Sequence, residues 1–164
     1  METIYTWKKG FFKPAFEIYS GDKYVGNIRA KTWSQESFAE LNGKNIRFVT
    51  KGFFNPYTLV FDLLSGLELG RITYNAWGNK ATLTISGIIY TWKYLNTWGT
   101  KWILSDSNGN ILNYSGSNSN GVISAGSFNE VIIVSGLFIR DYFWQMVVLV
   151  FIALIPVFIA TTSN

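Results

Sequence analysis

Residues Tyr142–Ala160 read YFWQMVVLVFIALIPVFIA. The run has no charged residue, one amide (Gln145) and one proline (Pro156), and only Thr161, Thr162, Ser163 and Asn164 follow it. About twenty apolar residues are enough for a helix to cross the hydrocarbon core of a bilayer. A helix that is apolar on every side is equally at home in the middle of a protein. Two readings follow: a transmembrane span carrying the rest of the chain as a domain, or an internal helix around which that chain is built.

The rest of the chain reads as short strands. Aromatic residues are 18% of the sequence and fall mostly outside this run, and glycine (15) far outnumbers proline (3). Aromatic side chains suit a pleated surface, and frequent glycine is the punctuation of hairpins. The strands also repeat. KGFFKP at 9–14 returns as KGFFNP at 51–56, an offset of 42. Gly26, Ile28 and Trp33 match Gly70, Ile72 and Trp77 at an offset of 44, as Gly43 matches Gly87. The two-residue shift falls in turn-like segments, where insertions are tolerated. Residues 9–50 and 51–94 are therefore read as two copies of one four-stranded unit.

In the first copy, strands are expected at Ala15–Tyr19, Lys23–Trp33, Ser37–Leu41 and Asn45–Thr50. In the second they are expected at Tyr57–Leu63, Glu68–Trp77, Lys80–Ser86 and Ile88–Lys93. Ile4–Lys8 precedes them, and Thr100–Asp106, Asn110–Tyr114 and Val122–Ala125 follow. Asn42-Gly43 is the strongest hairpin signal, because both central residues of such a turn need positive φ. Glu130–Phe138, EVIIVSGLF, reads as a last buried strand, with the helix beginning at about residue 140 and running to 161.

Alternation assigns the faces. Leu59, Phe61 and Leu63 are expected to point inward from their strand, as are Ala81, Leu83 and Ile85, and Trp102 and Leu104. About twelve antiparallel strands with one apolar face call for closure into a barrel, which removes exposed edges. A barrel of that size is too wide to fill with its own side chains, so the C-terminal helix is expected to thread it. The chain is thus read as a single all-β domain, residues 1–164. This architecture, two similar halves closed around a very hydrophobic C-terminal helix, resembles the tubby C-terminal-domain-like superfamily, which includes the tubby proteins, phospholipid scramblases and LURP-one-related proteins. The resemblance implies a helix threading the barrel and a non-catalytic binding or scaffold role, with anionic phosphoinositide headgroups as a ligand class and scramblase-like lipid handling as a further role.

Composition narrows the chemistry. Histidine and cysteine are both absent, which excludes disulfides, thiol nucleophiles, Cys/His zinc sites and histidine-based triads. Neither a G-x-S-x-G elbow nor a phosphate loop occurs. Enzymatic activity, a metal and a cofactor are accordingly not expected. Asp106-Ser107-Asn108-Gly109-Asn110 looks faintly like a calcium loop but lacks the distal glutamate and flanking helices, and reads as an Asx turn. The net charge is +4 without a basic run, so nucleic acid is not an expected partner.

Anionic membrane lipid is the partner class that remains. Lys9 and Lys13 flank one Phe-Phe pair and Lys51 precedes the other, while Arg29, Lys31, Arg47 and Lys51 form a basic face if their strands adjoin. These are the candidate lipid-binding residues. Phe11, Phe12, Phe53 and Phe54 are expected to cap the apolar interior. The location implied is cytoplasmic, with membrane association under the lipid-binding reading. Under the alternative, a tail anchor at 142–160 holds a cytosolic β domain.

Overall fold

The computed structural model describes residues 2–10, 15–30 and 35–162, with side chains through residue 156. Twelve antiparallel strands form one closed barrel in meander order, and one long helix follows. The strands are β1 (Thr3–Lys9), β2 (Ala15–Ser20), β3 (Lys23–Ala30), β4 (Glu36–Leu41), β5 (Lys44–Lys51) and β6 (Tyr57–Asp62). They continue as β7 (Glu68–Tyr74), β8 (Lys80–Ile85), β9 (Ile88–Tyr94), β10 (Lys101–Asp106), β11 (Ile111–Gly116) and β12 (Asn120–Ala125). The helix α1 spans Glu130–Thr162. Closure is made by β1 pairing antiparallel with β12, from Thr3↔Ala125 to Lys8↔Asn120.

The repeated glycines have a shared structural role. A Cβ on Gly26 would collide with the backbone of Glu40 and Leu41, and one on Gly70 with the backbone of Thr84. Each glycine lies beside a break in strand register, between Ile18 and Tyr19 in one unit and between Val60 and Phe61 in the other. The bulge bends the strand and glycine lets the next strand close in. Asn42-Gly43 and Ser86-Gly87 turn the following hairpins, all four residues with positive φ.

Two expectations about the strands are corrected. Glu130–Phe138 is the first part of α1, not a strand. Asn129 caps it, its side-chain oxygen accepting from the Ile132 N–H at 3.1 Å, as helix-initiating asparagines do. A short apolar run is compatible with strand or helix by periodicity alone. On β6 the core-facing residues are Thr58 and Val60, fully buried, with Asp62 nearly so; Leu59 is buried as well but outside the core cluster, and Leu63 is exposed. The inward Thr58 is satisfied by a hydroxyl chain, 2.8 Å to Thr50 and 2.6 Å to Tyr74.

The helix threads the barrel, but with a stretch other than the expected 142–160. Val131–Phe143 is buried without interruption, in one core with the inward residues of the strands. Trp144–Pro156 is exposed residue after residue. Lengths account for the boundary. Strands of about six to eight residues at ~3.3 Å each, tilted by ~35–45°, make a wall roughly 15–20 Å tall. At ~1.5 Å per residue that height holds about thirteen helical residues. The remainder of α1 emerges from the other end.

Gly136 seats the helix. A Cβ there would overlap the Tyr114 ring and hydroxyl. Tyr114 donates to the Ile133 carbonyl at 2.8 Å, and Trp92 Nε1 donates to the Gly136 carbonyl at 2.9 Å. Phe138 stacks on Phe48 with ring centroids 4.2 Å apart, and Tyr142 on Tyr74 at 4.1 Å. Gly136→Ala is expected to cost about 1–3 kcal/mol through overpacking, partly offset by about 1 kcal/mol of gained helix propensity. Gly136→Leu should prevent the helix from seating. Urea titration of the two variants reads both effects.

Asp62 gives the fold an acid limb. Its carboxylate is bonded by the Lys44 ammonium and by the backbone N–H and hydroxyl of Ser65, which hold it well below the usual carboxylate range. A carboxyl depressed on folding contributes stability that is complete above its unfolded value of about 3.9 and is lost as pH falls toward the folded value. Asp62→Asn should flatten that part of the stability curve below about pH 4, measured by denaturant titration at stepped pH.

Candidate functional site

The site lies at the end of the barrel where α1 leaves. Three contacts fix which end this is. Asp141 accepts from the Lys9 ammonium at 2.8 Å, at the end of β1. Arg140 donates to the Ser117 carbonyl at 2.7 Å and to Asn118 Oδ1 at 3.0 Å, in the β11–β12 turn. Phe143 lies against Gly78 in the β7–β8 turn. At the opposite, inlet end, Glu130 accepts from Asn42 in the β4–β5 turn.

A polar girdle marks the passage from core to projection. Asp141 is buried, and its second oxygen accepts from Gln145 Nε2 at 2.7 Å. The Arg140 guanidinium is buried over two adjoining indoles, 5.4 Å from the Trp7 ring and 5.0 Å from the Trp102 ring. Above the girdle every described side chain except Gln145 is apolar or aromatic, from Trp144 to Pro156. From Trp144 to Thr162 the helix is roughly 28 Å long at ~1.5 Å per residue, against a bilayer hydrocarbon core of about 30 Å. Pro156 falls within this length.

The exit rim presents aromatics to solvent. Trp77 in the β7–β8 turn is 88% exposed and Trp98 in the β9–β10 turn 87%. Both turns share the pattern N-x-W-G-x-K, as N-A-W-G-N-K at 75–80 and N-T-W-G-T-K at 96–101, and one construction. Asn75 Oδ1 accepts from the backbone N–H groups of Asn79 and Lys80, and Asn96 Oδ1 from those of Thr100 and Lys101. Each asparagine also donates across the turn, to Asn79 Oδ1 or Thr100 Oγ1, at 2.7 Å. Gly78 and Gly99 supply the positive φ that closes the loop. Phe53 and Phe54, in the β5–β6 turn on the same rim, are 91% and 90% exposed and contact each other edge to face. The expectation that they cap the interior is overturned, since the interior at this end is closed by α1.

Charge is divided along the barrel axis. Strand direction places Lys8, Lys9, Arg29, Lys51, Lys93 and, just after the twin turns, Lys80 and Lys101 at the exit end. The acids there, among the described residues, are Glu17, Glu36 and Asp141. The inlet end carries Glu2, Asp22, Glu40, Asp62, Glu68, Asp106 and Glu130 with Lys23 and Lys44.

The candidate cations are thus partly brought together. Arg29 and Arg47 lie on either side of Phe38 across β3–β4–β5. Arg47 is ion-paired with Glu36 and its guanidinium stands over the Phe61 ring. Lys51 is exposed at the rim. Lys9 is committed to Asp141 and stands 4.5 Å from the Phe16 ring. Lys13 and Lys31, with Phe11, Phe12 and Trp33, lie outside the described residues. The two tryptophan turns were not singled out from sequence, although the repeated N-x-W-G-x-K was there to be found. The Asp106 segment is an Asx turn, as expected: Asp106 Oδ1 accepts from the N–H groups of Asn108 and Asn110. Its bonds from the Asn110 side chain and the turn backbone lower its pKa. No group of three acidic, histidine or cysteine residues able to hold a metal occurs among the described residues.

Comparison with family models, curated proteins and solved structures found no match to this chain.

Lys9→Met would leave the Asp141 carboxylate enclosed without its counter-charge. Breaking a fully buried pair from one side costs about 3–5 kcal/mol. Lys9 is 25% exposed and Gln145 still donates, so a loss at or below the low end of that range is expected. A double-mutant cycle with Asp141→Asn on unfolding free energy measures the coupling.

Proposed function

We propose that the protein is a membrane-anchored, non-catalytic β-barrel domain whose one helix serves as both barrel core and bilayer anchor. The observation that carries this reading is the abrupt change in α1 at Phe143–Trp144, from continuous burial to continuous exposure of apolar side chains. Leaving Val147–Ile155 in water forgoes a transfer gain of roughly 0.3–0.6 kcal/mol for each large aliphatic or Phe residue. The projecting length suits one crossing of a bilayer. Gln145 and Trp144 fall at the interface, where amphipathic groups are at home.

The charge division supports an orientation. With the helix in the bilayer, the basic end faces the headgroups, and each Lys or Arg near an anionic leaflet contributes about 1 kcal/mol. The cytoplasmic leaflet is the anionic one, and the charge division supports a barrel on the cytoplasmic side. A closed twelve-stranded barrel filled by a C-terminal helix also fits what the resemblance to the tubby-like superfamily implies, a binding or scaffold module. Here the helix goes on beyond the barrel.

Truncation after Phe143 tests the reading, because it removes the projection and keeps the core. The full chain is expected to stay with membranes through an alkaline carbonate wash. Residues 1–143 should be soluble, with the barrel's circular dichroism intact. A full chain that purifies monodisperse without detergent would refute the anchor.

A further inference from the structure

We propose that the exit rim is a second membrane contact, in which the twin turns Asn75–Lys80 and Asn96–Lys101 seat Trp77 and Trp98 in the interface of an anionic bilayer. The inference rests on the anchor reading and adds to it the barrel's own contact with lipid.

The turns are built beyond what a connection requires. Two strands can be joined by a two-residue turn, as at Asn42-Gly43 and Ser86-Gly87. Here each loop is fixed by an asparagine that accepts two backbone N–H groups and donates across the loop. What the loop holds in place is a tryptophan pointing away from the protein. A Trp side chain is a large apolar body with one N–H, which suits the headgroup boundary of a bilayer better than water. The same device occurs twice, at the same end, each time followed by an exposed lysine.

The occupant is indicated by continuity and by charge. Phe143 packs at Gly78, so Trp144, the first residue of the projection, leaves the barrel beside the turn that carries Trp77. A bilayer that takes the projection must meet the rim. Lys51, Lys80, Lys93 and Lys101 lie toward that end of the barrel, all exposed, and their charge complements an anionic leaflet. Phe53 and Phe54 extend the aromatic ring to the β5–β6 turn. The inlet end differs in both respects: the exposed large apolar side chains of its β6–β7 turn are Leu63, Leu64 and Leu67, set between Asp62 and Glu68.

The test uses the full chain reconstituted into vesicles of phosphatidylcholine alone or with phosphatidylserine, with bromine on the upper acyl carbons as quencher. Flotation reports the anchor and tryptophan quenching reports the rim. Wild type should be quenched in phosphatidylserine vesicles, and Trp77→Phe/Trp98→Phe should lose much of that quenching while floating unchanged. The difference should shrink in phosphatidylcholine alone or in high salt, which screens surface charge. Because both side chains are almost fully exposed, the variant should keep the wild-type circular dichroism. Equal quenching of wild type and variant, with flotation intact, would overturn the rim contact and leave the anchor standing. A difference indifferent to lipid charge and salt would overturn the anionic preference. Tryptophans shielded from acrylamide but untouched by brominated lipid would overturn the proposal in favour of a protein partner. Failure to float would remove the anchor reading, and this inference with it.

Discussion

A wall of tilted strands no longer than eight residues can enclose only about four turns of α-helix, and the molecule depends on that limit. Twelve strands make a space too wide for their own side chains, so a helix is needed inside. The number is even, so an antiparallel meander closes on itself with the end of β12 beside the start of β1. From that rim the chain turns inward and crosses the whole barrel as α1. Thirteen residues of α1 suffice for the crossing, and the rest is committed to whatever lies beyond the rim.

The helix is gripped at particular points. Gly136 opens a notch that Tyr114 and Trp92 enter with their polar tips directed at helix carbonyls. At the exit, Arg140 is held by its two bonds to the β11–β12 turn and by the faces of Trp7 and Trp102. Those two indole N–H groups have no hydrogen-bond partner among the described residues, an expense of about 1–3 kcal/mol each for a buried donor. The rings therefore serve the cation with their faces, and the inward stack of Trp102 on Tyr114 joins the two grips.

Much of the barrel was legible because its signals are local. The glycine-marked turns, the alternation on β8 and β10, and the KGFF and Gly-x-Ile correspondences each reflect a constraint within a few residues. Three features were not legible in that way. Glu130–Phe138 has the β-branched content of a strand, and only Asn129 before it signals a helix. On β6 the inward Thr58 is satisfied only through Thr50 and Tyr74, which lie on neighbouring strands. The division of α1 depends on the height of the wall, which no residue of α1 encodes. Among the site residues, Lys9 read as a surface cation because Asp141, its partner, is far along the chain. The clustering of basic ends is equally non-local, since it follows from which turns share a rim.

No break in α1 occurs at the rim: residues on both sides of Phe143–Trp144 belong to one continuous helix. A domain on a flexible tether can swing and roll about its attachment. Here the buried and projecting halves are turns of one helix, with no loop between them. Because the buried half is bonded and stacked against the wall, whatever sets the tilt of the projecting half also constrains the tilt of the barrel. A torque applied at one end is transmitted to the other without a hinge to absorb it.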